Sequence, residues 1–196
     1  MMKRRLLLGI GLACLSVAAG AAAITDRHLV PGPRDPRDEQ AVYEAVLAKW
    51  LRGGQGLQLV DVELSAPPSP SDRDIAACVK GLDFPKDDRA KVGRRSLAGI
   101  QFKTAHVQLI EGSQWKPVDP GRSMAAGKPV EAAVEEGVSH SLIALSQITF
   151  GRDGKDALVR FSMRCGMLCG TGSTLHLHKS EGRWMIARPC GGEWIS

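Results

Sequence analysis

Aromatic residues are scarce in this chain of 196 residues: four Trp, four Phe and one Tyr make up 5% of it. A core must therefore be built mostly from Leu, Val, Ile and Ala. The 43% hydrophobic and 24% charged fractions are those of a folded globular protein. The apolar run over 6–19 is short for a spanning helix, which needs about 20 predominantly apolar residues, and carries several Gly and Ala; no acid occurs before Asp26. There is no Gly-rich phosphate loop, no His-Glu-x-x-His helix, no nucleophile elbow and no internal repeat. Basic residues do not cluster either, beyond Lys3, Arg4 and Arg5. The formal charge of +5 falls to +2, 23 bases against 21 acids, once those three are set aside. That balance is an ordinary solvated surface and excludes a nucleic-acid partner.

What is present begins with an address. A basic start, an apolar run over 6–19 and the tail Gly20-Ala21-Ala22-Ala23 have the three zones of an export signal, with Ala21-x-Ala23 as cleavage site. The expectation is a signal peptide over 1–23 and a mature start near Ile24, giving a periplasmic or secreted protein that meets the membrane only during export. A retained membrane anchor and a lipoprotein using Cys14 are the weaker alternatives. Pro31, Pro33 and Pro36 then mark a tether over 24–37, and 38–196 reads as one domain.

The domain opens with helical spacing. Val42, Val46 and Trp50 form one stripe and Tyr43, Leu47 and Leu51 another, after a start marked by Asp35-Pro36 and ended by Gly53-Gly54. Trp50 is read as a core plug. The period changes to two over 57–64, where Val60, Val62 and Leu64 share a face, and Pro67, Pro68 and Pro70 stop that strand. Ser71-Asp72-Arg73-Asp74 resembles a capping box for a short helix carrying Ile75, Cys78 and Val79. The pattern predicts a second helix over 88–97 and a strand over 100–110 with His106 in its middle. Residues 112–140 are the least legible, with helical turns expected over 130–136.

From Ser141 to Arg188 the alternation is clearest. Leu142, Ala144, Ser146, Ile148 and Phe150 alternate with Ile143, Leu145, Gln147 and Thr149. Ala157, Val159, Phe161, Met163 and Cys165 oppose Arg160, Ser162 and Arg164; Leu175 and Leu177 oppose Thr174, His176 and His178; Trp184 and Ile186 follow. Turns at 151–154 and 180–182 are short enough to make these strands antiparallel neighbours. The fold class expected is α+β: an N-terminal amphipathic helix on an antiparallel sheet that ends in a three- to four-stranded meander, by analogy with cystatin-like or NTF2-like folds.

The run Ser146-x-x-x-Phe150, Ala157-Leu158-Val159, Cys165-Gly-x-x-Cys169-Gly-x-Gly172, Gly182-x-Trp184 and Trp194-x-Ser196 resembles a group of uncharacterised exported bacterial proteins. Their C-terminal halves carry an SRVGF…ALVYV…CGxLCGxG…KKDGKW pattern. The resemblance covers 146–196, with Trp115-x-x-Val118-x-Pro120 as a fainter upstream match. It departs at Gln147-Ile148-Thr149, where the group often has Arg-Val-Gly, and at His176 and His178, where it has aromatic or aliphatic residues. The resemblance implies architecture and export, and no activity.

Cys78, Cys165, Cys169 and Cys190 remain after the signal, an even count that points to disulfides in an exported chain. Three pairings are possible; the favoured one joins Cys165 to Cys169 at a hairpin tip and Cys78 to Cys190. The alternative is a copper or zinc site of Cys165, Cys169, His176 and His178, since soft sulfur and imidazole suit those metals. Arg160, Arg164, His176 and His178 are also a candidate cationic face for an anionic small ligand or an envelope protein. No catalytic residue and no cofactor is expected, because Ser139-His140 neighbours on an extended chain point apart. The function expected is non-enzymatic binding or interaction in the cell envelope, ahead of periplasmic metal binding and then an unrecognised hydrolase.

Overall fold

A computed structural model describes residues 36–50, 57–85, 95–103, 106–166 and 169–195. The signal, most of the tether, Leu51, the Gly53-Gly54 stop and most of the expected 88–97 helix lie outside these residues. Pro36 opens helix α1 (Pro36–Trp50), where its missing N–H is no loss. The apolar stripe goes inward, with Val42, Tyr43, Val46 and Leu47 fully buried. Asp38 in the first turn accepts from Lys179 Nζ at 2.6 Å and Trp184 Nε1 at 3.1 Å, which fastens the helix to the sheet.

The rest is α+β. Strands β1 (Gln58–Asp61), β2 (Glu63–Leu64), β3 (Arg95–Ser96) and β4 (Val107–Ile110) flank the short helix α2 (Arg73–Ala76). A 3-10 turn (Gly112–Gln114) leads to α3 (Pro120–Ala125) and α4 (Val130–Ser139). Then come β5 (Leu142–Leu145), β6 (Thr149–Phe150), β7 (Asp156–Arg164), β8 (Gly170–Ser180), β9 (Arg183–Pro189) and β10 (Trp194–Ile195). The main sheet runs β10-β8-β7-β5-β1-β4, with β6 beside β7 and β9 beside β8.

The sheet is mixed, not antiparallel throughout. Its C-terminal part is the expected meander, but β1 lies between β4 and β5 and is parallel to both. Alternation reports which face is buried and is silent on strand direction, so the parallel insertion had no signature. The strand expected over 57–64 is divided at Val62. Before it the chain pairs with β4; Leu97 N–H then donates to Val62 O, and β2 pairs with β3 in a separate two-stranded sheet. Arg95 and Ser96 are thus strand rather than helix. The strand expected over 100–110 starts only at Val107, and His106 stands exposed just before it. Asp72, not Ser71, holds the N-cap position of α2, while Ser71 Oγ turns to Ser69 Oγ at 2.8 Å. The expected turns at 130–136 are the start of a ten-residue helix.

The strand expected over 141–150 contains a bulge. Leu145 pairs with Phe161 and Thr149 with Leu158, so three residues, 146–148, oppose two on β7. Sidedness flips there: Ile143 and Leu145 enter the core before the bulge, Ile148 and Phe150 after it. Ser146 anchors the irregularity. Its Oγ accepts from Arg160 N–H at 2.8 Å and donates to Gln147 O at 2.8 Å, while its carbonyl accepts from Tyr43 Oη at 3.1 Å. Burial, with the charge of Glu39, pushes the Tyr43 phenol well above its ordinary pKa, so it stays a neutral donor.

On the inner face, Ala157, Val159, Phe161, Leu175, Leu177 and Trp184 join the α1 stripe. Trp50 stacks on Phe161 with centroids 4.3 Å apart and planes 4° apart, as a core residue. The outer face of β7 and β8 has a smaller apolar cluster, where Ile75, Val79 and Cys190 cover Leu158. Glu181 at φ +51° and Gly182 at φ +75° make the tight β8–β9 turn, in which two left-handed residues match the strand twist.

Candidate outer-face binding site

Cys78 is bonded to Cys190 and Cys165 to Cys169, with Cα separations of 5.3 and 5.1 Å. The first bridge straps the α2 segment across the outer face. Arg188 reinforces it, donating from Nη2 to Cys78 O at 2.5 Å. The second closes the β7–β8 tip, and Cys165 N–H donates to Cys169 O at 2.9 Å.

The two histidines lie toward the other end of this ribbon. His176 faces Leu158 and His178 faces Asp156 across the ladder. His176 is six residues beyond Gly170, about 20 Å along an extended strand, so the two cysteines and two histidines do not converge. Among the described residues, no group of three or more His, Cys, Asp or Glu side chains is arranged to hold a metal ion.

Instead both imidazoles share one carboxylate oxygen. His176 Nε2 lies 2.7 Å and His178 Nδ1 3.0 Å from Asp156 Oδ1. Burial raises the Asp156 pKa, but the bonds from His178 and His176 outweigh it and hold the carboxyl below its ordinary range. With an ionised carboxylate, both ring nitrogens must donate. His176 Nδ1 is then left buried without a partner. His178 keeps Nε2 free on a half-exposed ring, but among the described residues no hydroxyl or thiol hydrogen-bonds to it. The trio is an oriented, charged cross-strand clamp without a nucleophile. Asp156 was not singled out in the sequence, although its position opposite His178 follows once the β7–β8 register is known.

The four residues read as one cationic face therefore separate. His176 is 5% exposed and belongs to the clamp, whereas Arg160 and Arg164 are exposed. All four side chains do leave the ribbon on one side. Arg164 lies over the Trp115 ring at 5.6 Å, and Trp115 Nε1 donates to His140 O at 2.9 Å, which fixes the indole. Among the described residues neither guanidinium has a carboxylate partner.

No protein family, curated protein or solved structure matches the chain.

What remains at the site is chemistry alone. Two unneutralised guanidinium groups, about 13 Å apart at their Cα atoms by strand geometry, sit on a rigid central strand beside an immobilised indole. Both are donors only and permanently charged. Their charge attracts anionic groups and disfavours cations.

Proposed function

We propose that this chain is a non-enzymatic binding domain of the bacterial cell envelope that holds an anionic ligand or partner on the outer face of β7. The unpaired exposure of Arg160 and Arg164 carries the reading. Each would gain a charge-assisted hydrogen bond on meeting an oxyanion, without first breaking an internal ion pair. Export by the 1–23 signal, with maturation near Ala23, supports an envelope location. So do the two bridged cysteine pairs, since such bonds persist in oxidising compartments. The resemblance over 146–196 to the exported CGxLCGxG group belongs to the same reading, as does the cystatin-like or NTF2-like comparison, which bears on architecture alone. No helix among the described residues is long and apolar enough to cross a membrane.

The test is binding of a panel of small carboxylates, phosphate and sulfate to the mature protein and to the Arg160→Ala/Arg164→Ala variant. The wild type should bind at least one of them with an affinity that falls as salt rises, and the variant should not. Equal behaviour of the two proteins would sink the proposal. Intact mass with and without reductant, together with metal analysis of the same sample, decides the copper or zinc alternative. Stoichiometric metal with free thiols would favour it over ours.

A further inference from the structure

The row of residues between the two arginines is short of acceptors. Trp194 of β10 stands opposite Gly172 of β8, and Gly172 opposite Ser162 of β7. A Cβ on Gly172 would come within 2.3 Å of Trp194 Nε1, and one on Gly170 within 2.9 Å of its Cη2 and Cζ3. The indole thus runs along β8 over two residues that have no side chain, with its N–H edge toward the Ser162 row. Glycine inside a strand weakens it and commonly marks a close approach of other groups. Here the spacing Gly170-x-Gly172 is what lets the ring settle on the sheet. The ring is only half covered by this, since Trp194 is 41% exposed.

Indole N–H and guanidinium groups are donors only, and the Ser162 hydroxyl supplies a further O–H. Among the described residues, none of these side chains on Arg160, Ser162, Arg164 and Trp194 makes a hydrogen bond or ion pair. The nearest acids in sequence are Glu193, beside Trp194, and Asp156, four residues before Arg160 and held by His176 and His178; among the described residues neither pairs with an arginine of this row. Four side-chain donors on and beside Ser162, none of them bonded to a carboxylate among the described residues, fit an oxyanion. The half-exposed indole beside them fits a ring whose C–H bonds point outward, because the negative face of the aromatic system attracts weakly positive hydrogens. A phosphodiester polymer suits the place less well, since it would need a longer run of cations than these two.

We infer that this surface is a subsite for an acidic sugar. Its carboxylate sits over Ser162 between the guanidinium groups of Arg160 and Arg164, with the Trp194 N–H as an additional donor. Its pyranose ring lies against the open part of the Trp194 indole. The inference rests on the anionic-ligand reading above and adds to it the ligand class and the role of Trp194.

Calorimetry with a galacturonate hexamer, its fully methyl-esterified counterpart and inorganic phosphate tests it, on the full mature protein with both disulfides intact. The acid hexamer should bind, the neutral ester should bind about ten-fold more weakly or worse, and Arg160→Gln/Arg164→Gln should lose a comparable factor. Trp194→Ala should lose binding, while Trp194→Phe, which keeps a ring and removes the N–H, should fall between it and wild type. The indole N–H resonance that disappears in Trp194→Phe should shift on titration of the wild type. Matching thermal melts across the variants control for folding. Equal binding of acid and ester, failure of the acid hexamer to bind, or phosphate binding as tightly as the hexamer would each overturn the sugar site. If both Trp194 variants bind like wild type while the arginine variant fails, the sugar site is wrong and the anionic face stands. If the arginine variant also binds like wild type, both fall.

Discussion

Replacing Cys78 and Cys190 by alanine removes a cross-link that closes a loop spanning 112 residues, whereas the same change at Cys165 and Cys169 opens one spanning only four. In the chain-entropy description the stabilisation grows with the logarithm of the loop, giving about 4.8 kcal/mol for the long bridge and about 2 kcal/mol for the short one. Alanine is a fair substitute at Cys190, which is 2% exposed among Ile75, Val79 and Leu158 and would lose little beyond its sulfur. The expected result is therefore a gap of about 3 kcal/mol between the two double variants. In a thermal melt the long-bridge variant should fall by about 10–20 °C at 2–4 °C per kcal/mol for a chain of this size. Guanidinium unfolding at equilibrium gives the free energies directly, and its slope should steepen when the long loop is opened, because the unfolded chain then exposes more surface. Equal losses in the two variants, or a larger one for Cys165→Ala/Cys169→Ala, would refute the loop argument. It would mean that local packing, not chain entropy, sets the value of each bridge.

Asp156→Asn should lower stability at neutral pH by about 1.5–3 kcal/mol, the range for hydrogen bonds to a charged group. The folded carboxyl titrates below its ordinary value of 3.8, so its contribution is full above that value and is lost as pH falls through the depressed one. Wild type should accordingly lose stability faster than Asp156→Asn on acidification below pH ~4, as read by urea midpoints; parallel curves would contradict this. Ser146→Ala strips the bulge of its acceptor for Arg160 N–H and should cost about 1–3 kcal/mol, with hydrogen exchange at Arg160 speeding up markedly. Phe161→Ala empties the seat of Trp50 in the core and should cost about 3–5 kcal/mol, with loss of near-ultraviolet circular dichroism.

The elements that the sequence made legible are those whose periodicity is governed by a single buried face. The α1 stripe and the inner row Ala157, Val159 and Phe161 are of this kind, because one side meets the core and the other meets water. Legibility failed where both sides are covered or where the partner changes. Leu142 and Ile143 are both fully buried, so alternation there has no polar side to reveal the bulge. Val62 changes partner without a change in its own pattern. At the candidate site, Arg160 and Arg164 were visible as the polar side of a strand. Trp194 was not, since its place depends on a two-residue pairing with β8 that only the folded chain brings about. Asp156 lay at the edge of a turn-like stretch, Arg152-Asp153-Gly154-Lys155, where an acid looks ordinary.

The position of β1 also orders events in time. Its four residues must settle between a strand that ends at Ile110 and one that ends at Leu145. The centre of the sheet therefore cannot close until more than eighty residues after β1 have been delivered. Contacts this distant in sequence make folding slow, and they leave the edges of β1 open meanwhile.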